Sequence, residues 1–240
     1  MAMAVAPALS CSKRTIISEN KMITFEDIKN NKDIRTYITE ADNALDALGF
    51  SEHSFAHVTK VAESAAYILK TLCFDERLAE LAKIAGFLHD IGNLVNRTDH
   101  SQSGAVMAFR ILNQLGMDAT ETAAVVSAIG NHDEGTGTPV SPLAAALIIA
   151  DKSDVRRTRV KKTDISTFDI HDRVNYSVSN AELIFSDNKE FITLSLTIDT
   201  HYCSVMDYFE IFLERMVLCR KSATALGVTF RLVMNGQQVV

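Results

Sequence analysis

A chain of 240 residues with 47% hydrophobic content can bury a core large enough for one big domain, or for a domain with an appendage. Its most apolar segment, "SPLAAALIIAD", falls short of the roughly 18 apolar residues a membrane-spanning helix needs, so no membrane association is expected. A formal net charge of −6 argues against general nucleic-acid binding, which uses a broad basic surface to displace counterions from phosphates.

The opening "MAMAVAPALSCS" lacks the basic leader of a signal peptide, so residues 1–22 are expected to form a flexible leader, with Met22 an alternative start. Residues 24–48 carry apolar positions at helical spacing and stop at Gly49. From Ser54 to Leu72, Val58, Val61, Ala65, Ile68 and Leu72 make one apolar stripe, with His57 at its margin. A third helix is expected over 75–90, stopped by Gly92, and two more over 99–115 and 118–131, separated by Gly116. The glycines and prolines of "DEGTGTPVSP" interrupt the pattern before a sixth helix from Leu143 to about Val155. Beyond "RRTRVKK" the texture changes. "AELIFSD" and "EFITLSLTID" read as a hairpin, 203–225 as a helix and "VTFRLVMNG" as a strand. The expected fold is therefore mostly α, a helical body over 23–160, with a small α+β unit over 161–240 packed on it because some 80 residues bury little core alone.

Two carboxylates sit where a chain normally avoids charge. Asp90 follows "FLH" at the end of one apolar helix, and Asp151 ends "LAAALIIAD". A buried carboxylate without a partner costs several kcal/mol, so each needs a cation, a metal or hydrogen-bond donors. His57, His89, His100 and His132 come from different segments, as ligands must if helices are to converge. Imidazole with carboxylate suits divalent iron, manganese, cobalt, nickel or zinc, and four histidines with two aspartates match the needs of two ions about 3.5–4 Å apart. Each reading has a plainer rival. His89 and Asp90 could be a helix-terminal hydrogen-bonded pair, His100 an exposed residue at a helix start, and His132 part of a polar helix end. "RRTRVKK" could be a solvated face. A second "HD", His171-Asp172, follows no apolar helix and reads as a decoy.

The order His57, His89-Asp90, His100, His132, Asp151, with "HDIG" at a helix end and "ADKSD" closing the set, resembles the HD superfamily of metal-dependent phosphohydrolases over residues 25–160. The resemblance implies an HD-domain helical bundle. It also implies a first divalent ion held by His57, His89, Asp90 and Asp151, and a second held by His100 and His132, with Asp90 bridging. The implied activity is cleavage of a phosphate ester or anhydride of a nucleotide-like small molecule through a metal-bridged hydroxide. Asp133 and Glu134 are candidates to move a proton. The family's commoner "HDIGK" is here "HDIGN", so Asn93 replaces its phosphate-touching lysine, and Lys152, Arg156 and Arg157 are the substitutes at hand. His53, one turn before His57, is a candidate substrate contact. "DEGTGTP" stands where an HD-GYP protein carries its "GYP" segment, so that subgroup is not matched. A di-iron oxygenase on the same ligands and a non-catalytic ligand-binding scaffold are the alternatives. Single cysteines (Cys11, Cys73, Cys203, Cys219), without zinc-knuckle or disulfide spacing, point to a reducing cytoplasm, and a homo-oligomer is left open.

Overall fold

The computed structural model describes residues 22–240, so the expected leader lies outside the described residues but for Met22. The body opens with two helices, α1 (Phe25–Lys29) and α2 (Lys32–Ala47), where periodicity alone suggests one. Capping accounts for the break. Thr24 and Asp27 form a reciprocal capping box on α1, and the Asn31 side chain accepts from the amides of Asp33 and Ile34 to start α2.

Next come α3 (Phe55–Thr71) and α4 (Glu76–Leu88), started by the Ser54 and Asp75 side chains. They pack closely, since a Cβ on Gly86 would lie 2.7 Å from the Ala62 Cα. α4 ends at Leu88, two residues earlier than periodicity suggests. His89 caps it, Asp90 sits in the turn, and Ile91–Leu94 form a single 3₁₀ turn. α5 (His100–Leu115) and α6 (Ala119–Gly130) pack on each other, and the 3₁₀ turn lies between α2 and α5. α7 (Pro142–Lys152) has Ser141 as N-cap and proline at its first position. Every residue of α7 from Leu143 to Lys152 is buried, because α3, α4, α6 and the C-terminal region surround it. At roughly 1.5–3 kcal/mol per large apolar side chain, Leu147, Ile148 and Ile149 make α7 the spine of the body.

The C-terminal region holds α8 (Ile170–Ser177), β1 (Val178–Phe185), β2 (Phe191–Ile198), α9 (Val205–Ala225), β3 (Thr229–Met234) and β4 (Gln237–Gln238). The sheet order is β1-β2-β3-β4. β1 and β2 are an antiparallel hairpin, β2 and β3 run parallel with α9 as the crossover, and β4 returns antiparallel. Ile192, Leu194, Leu196 and Ile198 alternate into the core with Phe230, Leu232 and Met234. α9 packs against both β3 and α7, and one continuous set of buried apolar residues runs from Ile23 to Met234. Among the described residues there are nine α-helices and no helix long and apolar enough to cross a membrane.

Candidate metal centre

Five helix ends point their polar residues at one buried spot. His57 comes from the first turn of α3, His89 and Asp90 from the end of α4, His100 from the start of α5, His132 from just past α6, and Asp151 from the last turn of α7. All six are at most 9% exposed. His100 is thus not an exposed helix start, and its side chain is as enclosed as the others.

Two groupings share Asp90. On one side His57 Nε2 lies 3.3 Å from His89 Nε2, 3.4 Å from Asp90 Oδ2 and 3.4 Å from Asp151 Oδ1. His89 Nε2 is 3.2 Å from Asp90 Oδ2 and 3.6 Å from Asp151 Oδ1. Ligands about 2.1 Å from a common tetrahedral centre stand about 3.4 Å apart, so these spacings have the size of a coordination shell. On the other side Asp90 presents its second oxygen: Oδ1 is 3.4 Å from His100 Nε2, which is 3.3 Å from His132 Nε2. Trios that could hold an ion include His57, His89 and Asp151, and also His89, Asp90 and His132.

The far side of each ring fixes which nitrogen faces inward. Nδ1 of His89, His100 and His132 contacts the carbonyl oxygens of Gly86, Arg97 and Ile129 at 2.7, 3.1 and 2.7 Å. A carbonyl can only accept, so each Nδ1 carries the hydrogen and each neutral ring offers its Nε2 lone pair to the centre. His57 Nδ1 lies 2.8 Å from Asp154 Oδ2. Asp154 is fully buried and held in turn by Lys60 and by Arg156 Nε, both at 3.0 Å.

Protonation in the absence of an ion shows how strongly the spot calls for positive charge. Burial opposes a proton on His89, yet Asp90 and Asp151 overcome it and push its pKa up to about 10. Burial and the nearby His89 cation drive His132 down to about 3, and His100 is lowered mainly by burial. Burial works against the ionised forms of Asp90 and Asp151. The His89 and His53 rings nonetheless hold Asp90 well below the usual carboxylate range, and Lys152 with the His57 and His89 rings does the same for Asp151. His100 and His132 therefore face each other at 3.3 Å as neutral rings with opposed lone pairs, an arrangement a shared cation relieves. The donor set fits one or more divalent ions.

The other candidates are spread around this centre. Asn93 donates to Asp90 Oδ1 at 2.9 Å and so locks the carboxylate that faces both groupings. His53 stacks edge-on against His57 with ring centroids 5.5 Å apart, and its Nδ1 lies 2.6 Å from the Ser51 carbonyl. Asp133 Oδ1 is 3.9 Å from His100 Nε2; burial and a hydrogen bond with Glu134 raise its pKa. Lys152 is buried and enclosed by carboxylates, 2.7 Å from Asp151 Oδ2, 3.0 Å from Glu134 Oε2 and 4.0 Å from Asp133 Oδ1. Arg156 braces Asp154 and reaches Glu52 at 3.0 Å. Arg157 is not brought to the centre. Its Nε donates to the Tyr176 carbonyl and its guanidinium lies over the Tyr176 and Tyr202 rings. Arg159, in the same run, is only 4% exposed, so "RRTRVKK" is not a uniformly solvated face. Asp172 stays away from the centre and caps its own helix, although that helix, α8, is absent from the periodicity reading.

Sequence reasoning passes over Asp154 and Arg97. Asp154 lies three residues past Asp151 inside the quoted "ADKSD", a spacing that returns it to the same side of the chain. Arg97 lies four residues past Asn93, donates to the Asn93 side chain at 3.3 Å and stands 4.0 Å from Asp90 Oδ1. It thus places a cation beside Asp90 where "HDIGN" lacks its lysine.

A helical body that gathers four imidazoles and two carboxylates around a buried point defines a metal-binding domain of the His/Asp type. The family model of the HD domain matches residues 52–156, and the chain belongs to the HD domain family. An uncharacterized protein of Methanocaldococcus jannaschii is 28% identical over 194 residues, covering 70% of this chain and 73% of the relative. A crystal structure of a predicted HD superfamily hydrolase from an uncultured Thermotogales bacterium is 31% identical. It covers 52% of this chain and 67% of that one, with a TM-score of 0.41.

Proposed function

We propose that the protein is a metal-dependent phosphohydrolase that cleaves a phosphate ester or anhydride of a nucleotide-like small molecule, with two divalent ions at the His/Asp centre. The observation that carries this reading is the opposed pair of Nε2 atoms of His100 and His132, 3.3 Å apart with each Nδ1 engaged to a carbonyl, next to the His57–His89–Asp151 grouping. Such an arrangement is costly without cations and complete with them. The bound ions supply Lewis acidity, which acidifies a water near neutral pH and offsets charge building on the phosphoryl oxygens.

The chain's own residues do the rest. Asp90 offers one oxygen to each grouping, and Asn93 fixes that orientation. Asp154 and the three carbonyls hold the imidazole rings so that Nε2 faces inward. Asp133 lies at the half-buried edge with a raised pKa, placed to hold a proton for the leaving oxygen. Glu134 cannot share that task, because Lys152 and Arg215 keep it ionised against the effect of burial.

Elemental analysis of purified protein, followed by phosphomonoesters, dinucleoside polyphosphates and cyclic dinucleotides with added manganese or iron, tests the proposal. The expected result is two ions per chain and metal-dependent phosphate release. Oxygen consumption with substrate and no phosphate release would refute it.

A further inference from the structure

Next to the centre lies a cleft of about 210 Å³ that the proposed chemistry has not used, lined by Phe50, His53, Arg97, Arg159, His171 and Arg215. It is a junction. Arg97 and Arg159 come from the body, while His171 and Arg215 come from α8 and α9. Its inner wall is shared with the centre, since His53 borders both the cleft and a small gap beside Asp90 and Asn93.

The cleft is cationic. Arg159 spends Nε and Nη1 on the backbone carbonyls of Glu52 and Asp154, its Nη2 has no hydrogen-bond partner, and no carboxylate lies within ion-pair distance among the described residues. Arg97 uses only Nη1, on Asn93. Arg215 pairs with Glu134 and lies over the Phe212 ring, 4.3 Å from its centroid. The two carboxylates in the lining are already engaged. Asp169 and Asp172 cap α8 reciprocally, and Lys162 neutralises Asp172. Guanidinium N–H groups with spare donors in a partly enclosed site match the oxygens of a phosphate, which accepts paired hydrogen bonds. A volume of about 210 Å³ leaves room for several waters, and so for one phosphate group with its hydration.

We infer that this cleft binds a second phosphate of the substrate, so that the preferred substrate carries two phosphate groups, one at the His/Asp centre and one between Arg97, Arg159 and Arg215. This rests on the hydrolase reading above, but the cleft can be tested without it. The full chain is held in chelator, and binding of inorganic phosphate is measured by calorimetry in wild type, Arg97→Gln and Arg159→Gln. Binding should weaken roughly tenfold to a hundredfold in either variant. Arg159 is buried, so if Arg159→Gln fails to fold, the half-buried Arg97→Gln carries the comparison. Equal binding in wild type and Arg97→Gln overturns the cleft as an anion site. In the second arm, manganese-loaded wild type is given adenosine 3′,5′-bisphosphate and adenosine 5′-monophosphate. At least a tenfold higher kcat/KM for the bisphosphate, lost in Arg97→Gln, is the expected result. Phosphate binding without that preference would make the occupant a free phosphate and overturn the substrate assignment. Failure to release phosphate from these two esters and from every member of the panel above refutes the hydrolase reading, while the chelator arm still decides the cleft.

Discussion

Gly92→Ala should split the His/Asp centre without touching any of its ligands. A Cβ on Gly92 would stand 2.0 Å from the His100 carbonyl oxygen and 2.4 Å from the Gly104 amide nitrogen, where real contacts essentially never fall under 3.0 Å. The 3₁₀ turn must therefore move off the start of α5 by about 1 Å, the difference between 3.0 and 2.0. Asp90 rides on that turn and His100 on α5, so their 3.4 Å separation grows to about 4.4 Å. Two ligands on one ion can stand at most about 4.2 Å apart, twice a bond of about 2.1 Å, so the pair can no longer share an ion. His57, His89 and Asp151 lie on neither the turn nor α5 and keep their grouping. Occupancy is expected to fall from two ions towards one. The overpacked contact should cost about 1–3 kcal/mol, which lowers Tm by a few degrees per kcal/mol in a chain of this size. Elemental analysis and a thermal melt read both effects. A Gly92→Ala protein that keeps two ions with an unchanged melt would refute this account of why a glycine stands there.

His100→Ala should remove mainly the second ion and leave the first, whereas Asp90→Ala should lose both, because its two oxygens face different groupings; metal counts on the purified variants separate the two cases. Asp154→Asn replaces the carboxylate that holds His57 Nδ1–H with an amide that can present a donor instead, and affinity for the first ion should fall about 10–100-fold in a chelator competition. In metal-stripped protein, His89 has its pKa raised to about 10. Its stabilising contribution is full below about 6.5, the unfolded value, and is lost as pH rises towards 10, so Tm should decline over that window. His132, lowered to about 3, acts in the opposite sense and should destabilise the stripped protein as pH falls below about 6.5. Ion binding displaces the His89 proton, so proton release should accompany metal addition at pH 7–8, visible as buffer-dependent heats; an absence of release at that pH contradicts the assignment.

The body was legible because its signals are local and repeated. Apolar stripes at helical spacing mark α3 to α7, and glycines or capping side chains mark their ends. The break at Asn31 is hard to read because the apolar spacing continues across it, and an Asn marks a cap only where its side chain turns back to the amides of Asp33 and Ile34. α8 was missed for a related reason. Only Val174, Asn175 and Ser177 of its later turns are buried, along with the capping Asp172, so it has no apolar stripe to read. The six clustered His and Asp residues stood out because each is an ionisable residue in an apolar setting, or follows one in a fixed order. The supporting groups did not. Asp154 and Arg159 look like ordinary members of a charged run, and only the fold shows that one braces His57 while the other is buried against backbone carbonyls.

Charge balance explains why those supporting groups are needed. Asp90, Asp151 and Asp154 are buried within a few ångströms of His57, and such carboxylates would repel one another and strip the fold of stability if left alone. The chain meets this with cations placed behind the carboxylates: Lys152 against Asp151, Lys60 and Arg156 against Asp154, and Arg97 beside Asp90. Lys152 in turn contacts Glu134, which Arg215 of α9 also holds, so an unbroken line of paired charge runs from the centre into the C-terminal region. That line ties the α+β region to the site in a way that apolar packing of α9 on α7 alone does not require. It also orients Arg215, whose pairing with Glu134 anchors the guanidinium at the cleft wall. The same device that holds the carboxylates ionised before an ion arrives thereby supplies part of the cleft's positive charge.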